Sequence, residues 1–577
     1  MKRFSPVAVV LGTALVGMTL TGEAADKKNK TPELPPLFDR VRVEVVNVDV
    51  VVTDKRGVPI SGLGPEDFIV VEDGTEREIS NFFAFTDGQP VPVESSQEDS
   101  EAGQDAQDGS LMRRMAILFD FNTLDSRTRD AAVESIERFI REQFDGSYEW
   151  AVIGYGSTVK LLQPFTSDKL TVIGALDRLK TVRVQTRQAR ATDQTFTEDD
   201  VIVTRLESSP RRQAIDQIDS GQLTAQDFEL RERMMQGIRT FSYTAAAMVE
   251  TMRAYATLPG RKSMVLVSGA LEGLPSGPQL LGFGMPGVGS GEQVDPLVAT
   301  FNTEMQEKFS AIVHAANAAG FAIYPVSSVN SLASRAPQID VAREQSVSFN
   351  VGGTPTLSAI DIENVPSILA EGTGGVFYSN TRFFKAFDDI DHRTANAYVL
   401  GFQTDHPPDR KYHQIVVRTR TPGLVVDSRE GYFHLSQRDR LIEEMATPLL
   451  FPKAKGDFDI AVQVQPPEEG VKEKISLTVA GVVGIGDITL VPQDDDVVGR
   501  VFLLVAVYNE KGQLHKMVRE QQELRFAASR LKEFPENAPA RFALDLEEVE
   551  RGDYTVTMTV MDEVTDRFGT GLQPVKL

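Results

Sequence analysis

The chain of 577 residues contains no cysteine. That absence excludes disulfides, thiolate metal centres, cysteine nucleophiles and a lipidated N-terminal cysteine. Histidine is scarce. The six histidines stand at 314, 392, 406, 413, 434 and 515, and none has the spacing of a zinc-binding pair on one helix face. There is no Gly-x-Ser-x-Gly elbow, no Walker loop, and no Gly-x-Gly-x-x-Gly that opens a helix. The glycine-rich run Gly282 to Gly291 carries Pro286 and leads directly into no helix, which argues against a phosphate cradle. No local pairing of a nucleophile with a base is found. These absences predict a protein that is not an enzyme, and a hydrolase working from its long loops lacks a recognisable triad. Positive charge is short as well: 60 Lys and Arg against 83 Asp and Glu give a net charge of −23. Such a chain is repelled by nucleic acid and by anionic membrane surfaces.

What is present divides the chain into several pieces, as its length leads one to expect. Residues 1–24 read as a secretory signal. Lys2 and Arg3 give the positive start, Val7 to Leu20 the apolar stretch, and Gly22-Glu23-Ala24 the small residues of a cleavage site. Beyond it no stretch reaches the roughly 18 apolar residues of a membrane helix. The expected product is therefore periplasmic or extracellular, with no stable membrane span after cleavage. Residues 39–86 form a small β unit, with Val41 to Thr53 alternating and Asp73-Gly74 marking a hairpin turn. Residues 87–113 are acidic and poor in apolar side chains, the composition of a flexible linker.

From Arg114 strands and helices alternate. Met115 to Phe119 is an apolar run that ends in Asp120. The helical pattern Val133, Ile136, Phe139, Ile140 and Phe144 follows, capped by Asp125 or Ser126. Further strands are expected at Trp150–Tyr155, Ser263–Val267, Phe321–Val326, Gly375–Tyr378, Ala397–Phe402 and Tyr412–Arg420, with helices between most of them. This alternation predicts a doubly wound parallel sheet over 114–435 with insertions near 184–225, 272–295 and 330–360. Ligands of such sheets bind at the carboxyl ends of the strands, which singles out Asp120, Asn122, Ser268 and Gly269 as a ligand rim. Residues 455–577 return to short strands and predict a C-terminal β-sandwich of the immunoglobulin or fibronectin kind.

Five stretches together resemble the acidobacterial von Willebrand factor A-related family. They are Val45 to Gly74 with Asp67-Phe68 and Glu72-Asp73-Gly74, the strand into Asp120, and Tyr155-Gly156-Ser157 with Gln163 to Asp168. Leu258 to Ser263 comes next, and Ala397 to Phe402 with Arg429 to Phe433 completes the set. The resemblance spans roughly residues 40–435. It implies a von Willebrand A-like, Rossmann-type domain and a metal-ion-dependent adhesion site for Mg²⁺. That site uses Asp-x-Ser-x-Ser, a later Thr and a later Asp, all hard oxygen donors. Here the first motif reads Asp120, Asn122, Leu124. Thr240 or Thr244 would supply the threonine, and Ser268-Gly269 stands where Ser-Asp-Gly is usual, with Glu272 the nearby carboxylate. The implied site is degenerate, and no cofactor is assigned firmly. Without metal, Asp120 caps the first helix or bonds loop amides. The function expected is a secreted, non-enzymatic protein-binding or adhesion module with an unidentified protein partner. The alternative is a metal-independent structural scaffold of an envelope or extracellular assembly. Arg551-Gly552-Asp553 and Asp494 to Asp496 read as turns rather than as integrin or Ca²⁺ sites.

Overall fold

The computed structural model describes residues 45–91, 112–181, 225–269, 296–327, 365–378, 382–447, 455–465 and 474–577, except 125, 145, 157, 158, 511, 534, 536 and 537. The expected leader, most of the linker, nearly all of the three insertions, Asp125 and Glu272 lie outside the described residues. The chain begins with β1 (Val45–Thr53), β2 (Phe68–Glu72), β3 (Thr75–Arg77), β4 (Ile79–Thr86) and β5 (Gln89–Val91). A mixed segment follows: β6 (Arg113–Asp120), α1 (Ser126–Glu142), β7 (Glu149–Tyr155), β8 (Val159–Thr166), α2 (Lys169–Thr181), α3 (Ala225–Ala254), β9 (Arg261–Val267), α4 (Pro296–Ala319), β10 (Phe321–Val326), α5 (Val365–Glu371) and α6 (Phe383–Ala395). Then come β11 (Tyr398–Gln403), β12 (Tyr412–Thr419), β13 (Val425–Ser428), β14 (Gly431–Phe433) and α7 (Gln437–Met445). The rest is β: β15 (Lys455–Gly456), β16 (Ala461–Gln465), β17 (Lys474–Gly484), β18 (Val491–Gln493), β19 (Asp496–Asn509), β20 (Leu514–Ala527), β21 (Pro539–Glu550), β22 (Asp553–Asp562) and β23 (Phe568–Lys576).

The central sheet has the order β10-β9-β6-β7-β8. β10, β9, β6 and β7 run parallel, and β8 closes one edge antiparallel to β7. The expected strand at 375–378 contracts to one parallel bridge from Tyr378 to Val326. Every residue of β6 is buried, as the continuous apolar run requires of a strand covered on both faces. Met115, Ile117 and Phe119 enter one core with Val133 and Phe139 of α1 and Phe387 of α6. Ala116 and Leu118 enter a second core with Phe241 and Met248 of α3 and Phe309 of α4. From β6 the chain steps outward to β7 and β8, then returns to β9 on the other side. The direction of winding therefore reverses between β6 and β9.

The N-terminal strands do not form a unit of their own. β1 pairs with β11, Val48 opposite Leu400, and with β13, Val52 opposite Val426. β2 pairs with β12, Val70 opposite Val417. Two antiparallel sheets result, β13-β1-β11-β4-β5 and β14-β12-β2-β3. Val46, Val48, Val50 and Val52 of β1 share a core with Phe68, Leu400, Phe402 and Ile415. The expected boundaries at 86 and 435 are corrected accordingly. Strands 398–433 belong with residues 45–91, and the parallel sheet is inserted between β5 and β11. The reason is physical: the alternating valines of β1 need a partner strand and a facing apolar layer, and β11 supplies the first while β2 and β12 of the other sheet supply the second. Asp73 and Gly74, at φ 47° and 84°, make the β2–β3 turn with the two left-handed residues that such a hairpin needs.

The C-terminal strands form β15-β23-β22-β19-β18, with β20 also on β19, and β16-β17-β21. Leu477, Val479, Phe542 and Leu546 of the smaller sheet meet Val501, Leu503, Val556 and Val560 of the larger across one core. α7 joins this part to the rest. Ser436 caps it, its Oγ accepting from the Asp439 amide at 3.2 Å. Leu441 and Met445 pack on Phe502, Leu504 and Met561. The Tyr508 hydroxyl donates to the Met445 carbonyl at 2.6 Å, and Thr257 donates to the Glu444 carboxylate.

The split β unit predicts the outcome of a truncation. A chain starting at residue 112 lacks β1, β2 and β4, and leaves Leu400, Phe402 and Ile415 without their layer. Each such side chain forfeits about 1.5–3 kcal/mol of burial. Limited proteolysis should then cut first between 398 and 433, where the full chain resists. Equal resistance in the two chains would contradict the pairing.

Candidate functional site

Asp120 is the last residue of β6 and is fully buried. Its Oδ1 accepts from the Asn122 amide at 2.8 Å and the Thr123 amide at 3.3 Å. Its Oδ2 accepts from Ser268 Oγ at 2.7 Å and from the Thr123 hydroxyl. Ser268 directly follows β9, so the carboxylate ties together the two strands between which the winding reverses. The Gly269 amide donates to Thr123 Oγ1 at 3.0 Å and closes the loop over the site. Phe121 continues the β6–β7 ladder by donating to the Tyr155 carbonyl at 2.8 Å. Its ring occupies the place that a side chain at Gly154 would need, 2.4 Å from an ideal Cβ.

Burial pushes the Asp120 carboxyl above its ordinary value. The Thr123 and Ser268 hydroxyls and the Asn122 amide oppose that shift, with a smaller contribution from the Tyr155 phenol. Tyr155 is driven well up, first by burial and then by the Asp120 charge. Its hydroxyl donates to Thr244 Oγ1 at 3.0 Å, and Thr244 in turn donates to the Thr240 carbonyl at 3.1 Å.

The rim expected from the sequence is thus assembled in part. Asp120, Ser268 and Gly269 meet. Asn122 contributes its backbone amide, while its side-chain Nδ2 points away to the Gly156 carbonyl at 3.0 Å. Thr244 reaches the cluster through Tyr155, and Thr240 offers only a carbonyl to Thr244. Thr123 and Tyr155 were absent from the expected set. Thr123 had a readable signal, since a hydroxyl three residues after Asp suits a loop or cap bond. Tyr155 had none beyond its place at the end of a strand.

The donor set does not fit Mg²⁺. An octahedral cation at 2.0–2.1 Å needs several oxygens with lone pairs directed at one point. Both Asp120 oxygens already accept from chain donors, and the neighbouring hydroxyls turn their protons toward it. Leu124, at the second serine position of the motif, is buried and apolar. Among the described residues Asp120 joins no cluster of three His, Asp or Glu side chains. Asp120 bonds the amides of its own loop.

Two recesses lie at the opposite end of the sheet, where β9 begins. One cavity of about 150 Å³ is lined by Asp49, Arg113, Arg261, Lys262 and Arg429. A recess of about 970 Å³ adjoins it, lined in part by Arg114, Lys262, Arg440 and Glu444. Burial pulls the Lys262 ammonium down to about 7, with Arg440 and Arg114 adding to the shift.

Comparisons with known proteins are sparse. No family model matches the chain, and no curated protein matches it. Among solved structures, it is similar to an aerotolerance-related membrane protein from Bacteroides fragilis NCTC 9343, at 8% identity and a TM-score of 0.23, covering 49% of this chain and 98% of that one. It is similar to the conserved hypothetical protein BatB from Bacteroides thetaiotaomicron, at 10% identity and a TM-score of 0.19, with the same coverages of 49% and 98%. A calcium-binding mutant of Bacteroides uniformis beta-glucuronidase 2 matches at 13% identity and a TM-score of 0.15, over 21% of this chain. The chain spans only 13% of that beta-glucuronidase. Likenesses at these scores carry no argument about family or function. No helix among the described residues is long and apolar enough to cross a membrane.

The Asp120 shift sets a pH dependence. The folded chain holds this proton to a higher pH than the unfolded chain, whose carboxyl stays near 3.8. Stability from this group is therefore greatest at and below 3.8. It falls as pH rises toward the folded value and stays at the lower level beyond it. Asp120→Asn removes the titration. Denaturant midpoints of the two chains should move in favour of the variant as pH rises through that window. Parallel pH profiles would contradict a raised Asp120.

Proposed function

We propose that this chain is an exported, non-enzymatic protein-binding module that works without metal at a degenerate adhesion site. It would be built on a von Willebrand A-like, doubly wound sheet. The observation that carries the reading is the meeting of Asp120 and Ser268 across the point where winding reverses, at the carboxyl ends of β6 and β9. Crevices at that point are where open α/β sheets take their ligands. The antiparallel edge strand β8, the central β6 and the bridge from Tyr378 to β10 support the same architecture. The absence of catalysis is supported by the occupied carboxylate. Asp120 accepts four hydrogen bonds, from the Asn122 and Thr123 amides and the Thr123 and Ser268 hydroxyls, and has no lone pair left to act as a base. The partly exposed Asn122, Thr123, Gly156 and Gly269 would face the partner, with Asp120 fixing their backbone. The signal-like composition of residues 1–24, with Lys2 and Arg3 before an apolar stretch, supports export to a periplasm or the cell exterior.

The test is capture of envelope proteins on the immobilised full chain, with and without a chelator, beside an Asn122→Arg variant. Capture should be the same with chelator present and should be lost in the variant. Capture that needs a divalent cation would overturn the metal-free reading. A captured set indifferent to Asn122→Arg would favour the scaffold alternative, in which sheet edges make the contacts.

A further inference from the structure

Half of the chain's histidines converge at a place remote from Asp120. His406 lies between β11 and β12, His413 in β12, and His434 just after β14. His406 and His413 meet Asp73 at the left-handed β2–β3 turn. The His406 and His413 rings stack with centroids 3.8 Å apart. His434 stands edge-on to His406, with the two Nδ1 atoms at 3.1 Å. His413 Nδ1 is 2.8 Å from Asp73 Oδ2, and its Nε2 is 3.2 Å from Asp409 Oδ1. His406 Nε2 is buried and makes no hydrogen bond, with Glu72 Oε1 at 3.5 Å. Carboxylate and imidazole ligand atoms of Asp73, His406 and His413 lie within 4.8 Å of one another.

We propose that Asp73, His406 and His413 form a binding site for a borderline divalent transition metal of the Zn²⁺ class. Imidazole and carboxylate together suit that class rather than Mg²⁺ or Ca²⁺. A tetrahedral ion with bonds of about 2.0–2.1 Å holds its ligand atoms roughly 3.4 Å apart. To take the ion, the Asp73–His413 pair at 2.8 Å opens slightly, the remaining ligand atoms close by roughly an ångström, and the stacked His406 and His413 rings tilt apart so that both in-plane lone pairs meet at one point. Asp73 has the freedom to do so, since its side chain is half exposed, and it leaves the ion a path from solvent.

The surroundings are those that a ligating histidine needs. Such a histidine gives its second ring nitrogen to a carboxylate or another acceptor, which fixes the tautomer and the ring plane. His413 has Asp73 on one nitrogen and Asp409 on the other. His406 has His434 Nδ1 against its own Nδ1 at 3.1 Å, which leaves Nε2 for the ion. Glu72 is itself held by Arg77 Nε at 2.8 Å and by the Tyr432 hydroxyl at 2.6 Å. The Gln414 amide donates to Asp73 Oδ1 at 2.8 Å, which aims the other carboxylate oxygen at His413. The orphaned nitrogen of His406 is the atom a metal would satisfy. Three protein ligands leave a fourth position for water or a partner's side chain.

The test is calorimetric titration of Zn²⁺ into the untagged, chelator-stripped full chain, beside His406→Ala, Asp73→Asn and His515→Ala. His515 lies in β20 and serves as the control. The expected result is saturable one-to-one binding, weakened at least about tenfold by His406→Ala and by Asp73→Asn and unchanged in His515→Ala. Melting curves check that each variant is folded, and Zn²⁺ should raise the wild-type melting temperature and not that of His406→Ala. Binding no tighter than about 1 mM in the wild type would overturn the proposal. Unchanged affinity in either His406→Ala or Asp73→Asn would overturn it equally.

Discussion

Complete burial of β6 is the constraint on which the remainder of the α/β region rests. Its odd and even residues feed two different cores, so helices must cover both faces and neighbours must pair on both edges. A strand so enclosed has one exit, and at that exit stands Asp120. A carboxylate there is shut off from bulk solvent. The loop therefore turns its own donors inward: two backbone amides, the Thr123 hydroxyl and the Ser268 hydroxyl from the far side of the winding reversal. Satisfying that one group pins the β6 loop to the end of β9 and gives the rim its shape. The same satisfaction explains why the residues implied by an adhesion site do not assemble a cation cage. The protons that fix the rim occupy the lone pairs a metal would use.

A second constraint ties the chain's beginning to its middle. The valines of β1 pair alongside β11 and face β12, both more than three hundred residues away in sequence. The α/β region is thereby enclosed by a β unit whose two halves flank it. The interior where these parts meet is rich in Arg and Lys, and the depressed Lys262 records the cost of burying cations there. α7 adds a third fastening, with Leu441 and Met445 on the C-terminal sheet and Glu444 reaching Thr257.

Much of the α/β segment could be read from local pattern. The Met115–Phe119 run, the helix after it, and Ser268 at the end of the next central strand all depend on residues close in sequence. What escaped depends on contacts that periodicity does not carry. Pairing of β1 with β11 and β13 is long-range, and consecutive strands were the natural assumption. β13, β14 and β23 are short or carry Gly and Pro, which hid their alternation. α7 did have a signal, Ser436 followed by Asp439, the spacing of a capping box. Asn122 illustrates a finer limit: residue type suggested a side-chain ligand, but the loop uses its backbone amide and turns the side chain outward. The histidine cluster was invisible because its members come from different strands and turns.

The metal-free reading proposed for this chain rests on whether a cation can reach Asp120. Calorimetric titration of Mg²⁺ and Mn²⁺ into the full chain, beside Asp120→Ala, tests it most directly. No saturable heat that depends on Asp120 is expected, so that wild type and variant give the same trace. Saturable binding in the wild type that Asp120→Ala abolishes would contradict it, and would mean that the Thr123 and Ser268 hydroxyls release the carboxylate to a cation.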